Sequence, residues 1–253
     1  MNNHILNLND ISFNYGGLKA VFDFSMNIKQ GSITSLIGPN GAGKTTVFNL
    51  ICGVIHPFRG DIVYKNKNIN TLSPHAIAAL GIGRTFQNIR LFPSLTVREH
   101  VSLSQYTRYK SSAVGEIFGS PSSRRDKLDV SRKTEEIMAK IGLSEYADEL
   151  AINLSYGLQR RVEFARTLAV GTDLILLDEP TAGMNIGESD EIMGMIQGLT
   201  ELDMTVLLVE HDMRVVMSIS SEIWVMNQGT LIASGTAGEI KSNPLVVEAY
   251  LGE

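Results

Sequence analysis

Nine residues, Gly38-Pro39-Asn40-Gly41-Ala42-Gly43-Lys44-Thr45-Thr46, constrain this chain more than any other stretch. Gly38, Gly41 and Gly43 allow backbone torsions that other residues resist, so the segment can curl and turn its N–H groups inward. An apolar run, Ile33 to Ile37, precedes it, and an apolar-periodic stretch, Thr46 to Gly53, follows it and reads as a helix. Strand, glycine-rich loop and helix in that order set the positive end of a helix dipole behind a ring of amides, which suits a phosphate. The spacing is that of a P-loop, G-x4-G-K-[ST], in which Lys44 reaches the β- and γ-phosphates and the Thr45 hydroxyl ligates Mg²⁺.

A second acidic element completes such a site. Leu174-Ile175-Leu176-Leu177 is an apolar run of strand length that ends in Asp178 and Glu179. An acid at the carboxyl end of a buried parallel strand stands where α/β sheets bind their ligands. Asp178 is then placed to hold the magnesium shell, and Glu179, one residue further out, to take a proton from an attacking water.

The rest of the chain is read around these two landmarks. LNLNDISFNY and FDFSMNIKQGSITSLIG alternate as strands, with turns at Gly16-Gly17 and Gly31, and Asp61 to Ile69 reads as a short strand or hairpin. Ser73-Pro74 begins a short helix that ends near Gly81. From Thr96 to about Leu150 strand patterns vanish, and the spacing is helical apart from the loop-like Gly119 to Ser123. Arg124 to Ile141 reads as an amphipathic helix with Leu128, Ile137 and Ile141 on its apolar side. After Ser155, helices alternate with the strands DLILLDE, TVLLVEH, EIWVMNQ and GTLIASG. The expected fold class is α/β: a P-loop core with a parallel sheet, an N-terminal antiparallel β part and an inserted α-helical subdomain.

Bulk properties exclude several functions. A net charge of −5 over 253 residues argues against nucleic acid as a partner. No run approaches the roughly 18 apolar residues of a membrane span, and MNNHILNLND lacks the basic and apolar segments of a secretory signal, so any membrane role is expected to come through another subunit. The single cysteine, Cys52, cannot form an internal disulfide, as expected in a reducing compartment.

Leu154-Ser155-Tyr156-Gly157-Leu158-Gln159, ahead of the strand that carries Asp178, resembles the signature sequence of ATP-binding-cassette ATPases, usually written L-S-G-G-Q. The resemblance covers essentially the whole chain. It implies a single domain over 1–253, with 1–87 and 167–253 as the nucleotide-binding core and 88–166 as the helical subdomain bearing the signature. Gln87, in GRTFQNIRLFP, matches the glutamine that touches metal and water. His211, in VEHDM, matches the switch histidine, and Tyr15 matches the aromatic that stacks on adenine. Singly these are an ordinary surface amide, helix-start histidine and strand aromatic; their order relative to the P-loop and Asp178 gives them meaning. The family pairs head to tail, so Ser155 and Gly157 are expected to act on the γ-phosphate held by a second ATPase subunit, identical or different. Tyr156, Leu158 and Asn185 depart from the usual residues of the family.

GIGRTFQNIRLFPSLTVREHV, VEHDMRVVM and the ending EAYLGE resemble ATPases of high-affinity branched-chain amino-acid importers. The implied function is ATP hydrolysis that powers import through integral membrane permeases, at the cytoplasmic face of the membrane. Urea and short-amide importers and lipopolysaccharide or lipid exporters are the alternatives.

Overall fold

The computed structural model describes residues 3–85, 90–105 and 121–251. The chain divides into two compact units, one of Met1–Arg84 with Asp173–Glu253 and one of Thr85–Thr172.

The first unit holds two sheets. In the antiparallel one the order is β2-β1-β4-β5, with β1 (His4–Tyr15), β2 (Leu18–Lys29), β4 (Arg59–Tyr64) and β5 (Lys67–Asn68). Lys65 and Asn66, both at positive φ, turn the β4–β5 hairpin, the torsions that match the twist of two tightly joined strands. The other sheet runs β10-β9-β3-β8-β7-β6, built from β3 (Ile33–Ile37), β6 (Ile82–Arg84), β7 (Leu174–Asp178), β8 (Thr205–Val209), β9 (Glu222–Asn227) and β10 (Thr230–Gly235). All neighbours are parallel except β9 and β10.

Alternation along the parallel strands sends side chains to two cores. Leu36, Trp224 and Met226 join Phe24, Phe48 and Leu176 on the face that carries α1 (Lys44–Ile51) and the antiparallel sheet. Ile37, Ile223 and Val225 join Val216, Ile240 and Val246 on the other face, beneath α7 (Met213–Ile219), α8 (Ala237–Ser242) and α9 (Pro244–Leu251). Each fully buried Leu, Ile or Phe contributes about 1.5–3 kcal/mol relative to an exposed one. The strands β3, β8 and β7 are adjacent and parallel, so their carboxyl ends share one edge.

The expected elements of this unit recur within a few residues, including α2 (Pro74–Ala79), which Ser73 caps, and α6 (Ile186–Thr200). The short strand β6 was not expected. Three residues carry no periodicity; pairing with β7 makes Ile82–Arg84 a strand.

The second unit packs α3 (Val97–Gln105), α4 (Pro121–Ile141) and α5 (Tyr156–Val170) against one another. Two expectations change here. Pro121 to Ser123, expected in a loop, form the first turn of α4, with proline where its missing N–H costs nothing. Leu128, expected on the apolar side, is 72% exposed; the buried stripe is Val130, Thr134, Met138 and Ile141. At 3.6 residues per turn Leu128 points about 200° away from Val130. Thr134 belongs to the stripe because its hydroxyl accepts a 2.7 Å bond from the buried Gln105 amide.

Candidate functional site

The loop after β3 bends through three positive-φ glycines, Gly38 at 149°, Gly41 at 78° and Gly43 at 106°. At two of them a side chain has no room: a Cβ on Gly38 would lie 2.0 Å from the Met226 carbonyl oxygen, and one on Gly43 would lie 2.6 Å from that of Ala20. The β9–β10 turn braces the loop from outside, since Gly229 N–H donates to the Ala42 carbonyl and Phe22 N–H donates to the Gly229 carbonyl. Lys44 opens α1 with its side chain folded back, Nζ donating to the carbonyls of Gly38 (2.6 Å) and Pro39 (2.8 Å). Gly43 caps α1 without a side chain, which leaves the amides of the first turn pointing at the loop's concave face.

A cavity of about 460 Å³ opens there, lined among others by Tyr15, Lys44, Thr45, Glu179, His211 and Gln228. Asn40, Gly41, Ala42, Gly43 and Thr46 complete its lining on the side of the glycine-rich loop. Tyr15, half exposed at its mouth, is held edge-on by Phe13 with 4.8 Å between ring centroids.

Asp178 and Glu179 reach the same edge from β7. Asp178 pairs in register with Val209, and its Oδ2 accepts a 2.8 Å bond from Arg84, whose other nitrogen donates to Asn49 Oδ1 on α1. Arg84 thus fixes the acid of β7 to the helix that follows the P-loop, a link across 94 positions that no local pattern announces. Glu179 continues the ladder, its N–H donating to the Val209 carbonyl, but with φ at +48°. The turn aims its carboxylate at the loop after β8, where Oε1 lies 2.7 Å from His211 Nε2.

Behind that pair stands a group the motifs did not single out. Glu210, 3% exposed, accepts bonds from Thr181 N–H and hydroxyl with Oε1, and from the N–H groups of His211 and Asp212 with Oε2. Its signal was present: like Asp178, it is an acid at the end of an apolar strand.

In the second unit, Ser155 begins α5 as an exposed residue whose side chain makes no cap hydrogen bond. Two of the departures from the family pattern, Tyr156 and Asn185, have local partners. Gln159, next to Leu158, donates to the carbonyls of Ile152 and Leu154 and so holds the loop before Ser155. Tyr156 takes a 3.4 Å bond from Arg160, which is fully buried and ion-paired to Glu163 at 2.8 Å. Burial pushes the Glu163 carboxyl up despite that arginine. Asn185 caps α6 in a reciprocal box with Glu188, where an amide serves as well as the usual aspartate. Gln87 lies outside the described residues.

The model of the ABC transporter family matches residues 21–182. The chain belongs to that family. It is an ATP-binding cassette of the ATPase type, and its last stretch, 230–253, matches the model described as branched-chain amino acid ATP-binding cassette transporter. The high-affinity branched-chain amino acid transport ATP-binding protein LivG of Salmonella typhimurium is 41% identical over all of both chains, and BraF of Pseudomonas aeruginosa, similarly described, is 40% identical over the same span. The lipopolysaccharide export system ATP-binding protein LptB of Haemophilus influenzae is 34% identical over 98% of each chain. Among solved structures, the ADP conformation of the cassette MJ1267 superposes with TM-score 0.85 at 30% identity, over 99% of each chain. The dimeric cassette MJ0796 superposes with TM-score 0.73 at 27% identity, over 92% of this cassette and 98% of that chain.

Proposed function

We propose that this cassette is the ATP-hydrolysing subunit of an importer for branched-chain amino acids. The observation that carries its catalytic part is the convergence of Lys44, Thr45, Glu179 and His211 on one cavity at the carboxyl edge of the parallel sheet. In this reading Tyr15 stacks on adenine, while Gly38 to Thr46 and Lys44 hold the phosphates. Glu179 takes a proton from the attacking water, and His211, 2.7 Å away, positions that carboxylate and the γ-phosphate. Thr45 and Asp178 offer oxygen donors, the kind a small hard cation takes alongside phosphate and water oxygens, so they fit Mg²⁺. The ion, when bound, neutralises charge that develops on the phosphates. Gln87 is assigned to metal and water on the family pattern alone.

Ser155 and Gly157 serve a second ATPase subunit: an exposed helix start that spends no side chain on its own cap suits an anion brought by a partner. The dimeric MJ0796 cassette supports such a pair. No helix among the described residues is long and apolar enough to cross a membrane, so the cassette is peripheral in this reading and docks on permease subunits where cytoplasmic ATP is available. The identities with LivG and BraF and the match over 230–253 favour branched-chain amino acids over lipopolysaccharide export.

The test is Glu179→Gln in the native complex. Loss of the carboxylate should lower ATP turnover by on the order of 10²- to 10⁴-fold and trap an ATP-bound dimer by size-exclusion chromatography. Normal turnover in that variant removes Glu179 from its role. Uptake of labelled leucine by vesicles carrying the complex addresses the substrate, and vesicles that ignore leucine but move lipid would reverse the assignment.

A further inference from the structure

The buried carboxylate of Glu210 does no chemistry in the reading above, yet it joins the two loops that supply the chemistry. Thr181 stands two residues after Glu179, and His211 immediately follows Glu210. Each carboxylate oxygen serves one loop: Oε1 takes Thr181 N–H at 2.9 Å and its hydroxyl at 2.5 Å, and Oε2 takes His211 N–H at 2.9 Å and Asp212 N–H at 3.4 Å. All four donors point at one side chain that is almost wholly removed from solvent. A carboxylate is the only side chain of this size with acceptors on both ends and no donor, and charge-assisted bonds of this kind are the strong ones.

We infer that Glu210 is a positioning residue, a clamp that sets the distance between the Glu179 carboxylate and the His211 ring. This inference rests on the roles proposed for those two residues. The clamp is needed because the strand ladder ends beside it. Val209 is the last residue of β8 to pair with β7, and Glu179 already leaves the strand at positive φ, so sheet hydrogen bonding alone does not fix the side chains beyond that point. Glu210 ties both departing loops to one rigid group, and a mismatch of about 1 Å between reacting groups can cost on the order of a hundredfold in rate.

The substitution Glu210→Gln tests this without changing size. An amide has one acceptor end, so in either orientation its NH₂ must face backbone N–H donors, from Thr181 or from His211 and Asp212, and one loop is released. The expected result is a fall in kcat of roughly tenfold to a hundredfold with the KM for ATP nearly unchanged. In ¹H–¹⁵N spectra of ring-labelled protein, the His211 signal, assigned by His211→Ala among five histidines, should move or broaden. Thr181→Val, which deletes one donor, should show a smaller fall of the same type, and Thr181→Ser should restore the wild-type rate. If Glu210→Gln does not fold, the two Thr181 variants decide. A folded Glu210→Gln protein, or failing that Thr181→Val, with wild-type kcat and an unmoved His211 signal overturns the clamp. Glu179→Gln, run in parallel, separates the two ideas: full activity in that variant defeats the base assignment, whereas its inactivity beside a fully active Glu210→Gln defeats the clamp alone.

Discussion

Two glycines, one in each unit, stand in the motifs proposed to meet phosphate, and their surroundings are opposites. Gly38 is required by its own fold: φ is +149° and the Met226 carbonyl occupies the space a Cβ would take. Gly157 is not: a Cβ there would meet no atom within 4 Å, and its φ is not in the left-handed range. The sheet edge is thus built for its ligand by internal packing, while the start of α5 keeps a small residue that its own unit does not need. A requirement for glycine at 157 must then come from something that approaches from outside, which is how a pair of cassettes sharing one nucleotide would use it.

The most severe way to break this comparison is Gly38→Ala. Strain and overlap together should destabilise the first unit by roughly 3 kcal/mol or more and abolish ATP binding, read by thermal unfolding and fluorescent-nucleotide titration. A Gly38→Ala protein that melts normally and binds ATP would show that the loop relaxes freely. Next comes the interior of the second unit, where Met138→Ala should cost about 2–5 kcal/mol because the side chain is fully buried.

A pH effect of intermediate size belongs to the same unit. His100 is buried; Nε2 accepts from Phe92 N–H at 2.9 Å and Nδ1 lies 2.8 Å from the Thr96 carbonyl, so the neutral ring satisfies both. Burial, with help from Arg166, holds its pKa below the ordinary histidine value, against the opposing pull of Thr96 and Glu99. A lowered pKa in the folded state means that the stabilisation is complete above about pH 6.5 and is lost as the pH falls below that value toward the folded pKa. Melting temperature should therefore drop on acidification below about pH 6.5 in the wild type, and drop less in His100→Gln. The smallest effects sharpen the contrast from the other side: Gly157→Ala and the exposed Leu128→Ala should each leave stability within about 0.5 kcal/mol, while Gly157→Ala alone lowers the ATPase rate of the assembled pair.

The parts of this molecule legible in the sequence are those whose cause is local. The P-loop glycines, the apolar run of β7 and the Ser73-Pro74 helix start each declare themselves within ten residues. Strand β6 did not, because a three-residue strand exists only through its neighbour β7. Leu128 was placed on the wrong face because several registers fit the sparse apolar residues of α4, and only packing selects among them. The same limit hid the supports of the site. Arg84 meets Asp178 from 94 positions away and Glu210 meets Thr181 from 29, and neither partner can be inferred from spacing.

The torsion at Glu179 has an implication for how the site can change. A non-glycine residue at φ +48° carries a local energetic burden of about 1–3 kcal/mol that the surrounding sheet must absorb. Glycine at 179 would relieve the burden while deleting the carboxylate, so the variant best suited to the backbone lacks the group proposed as the base. Selection for robustness and selection for turnover therefore pull this single position in opposite directions. A library screened only for heat resistance should enrich glycine at 179 and, in doing so, discard the proposed base.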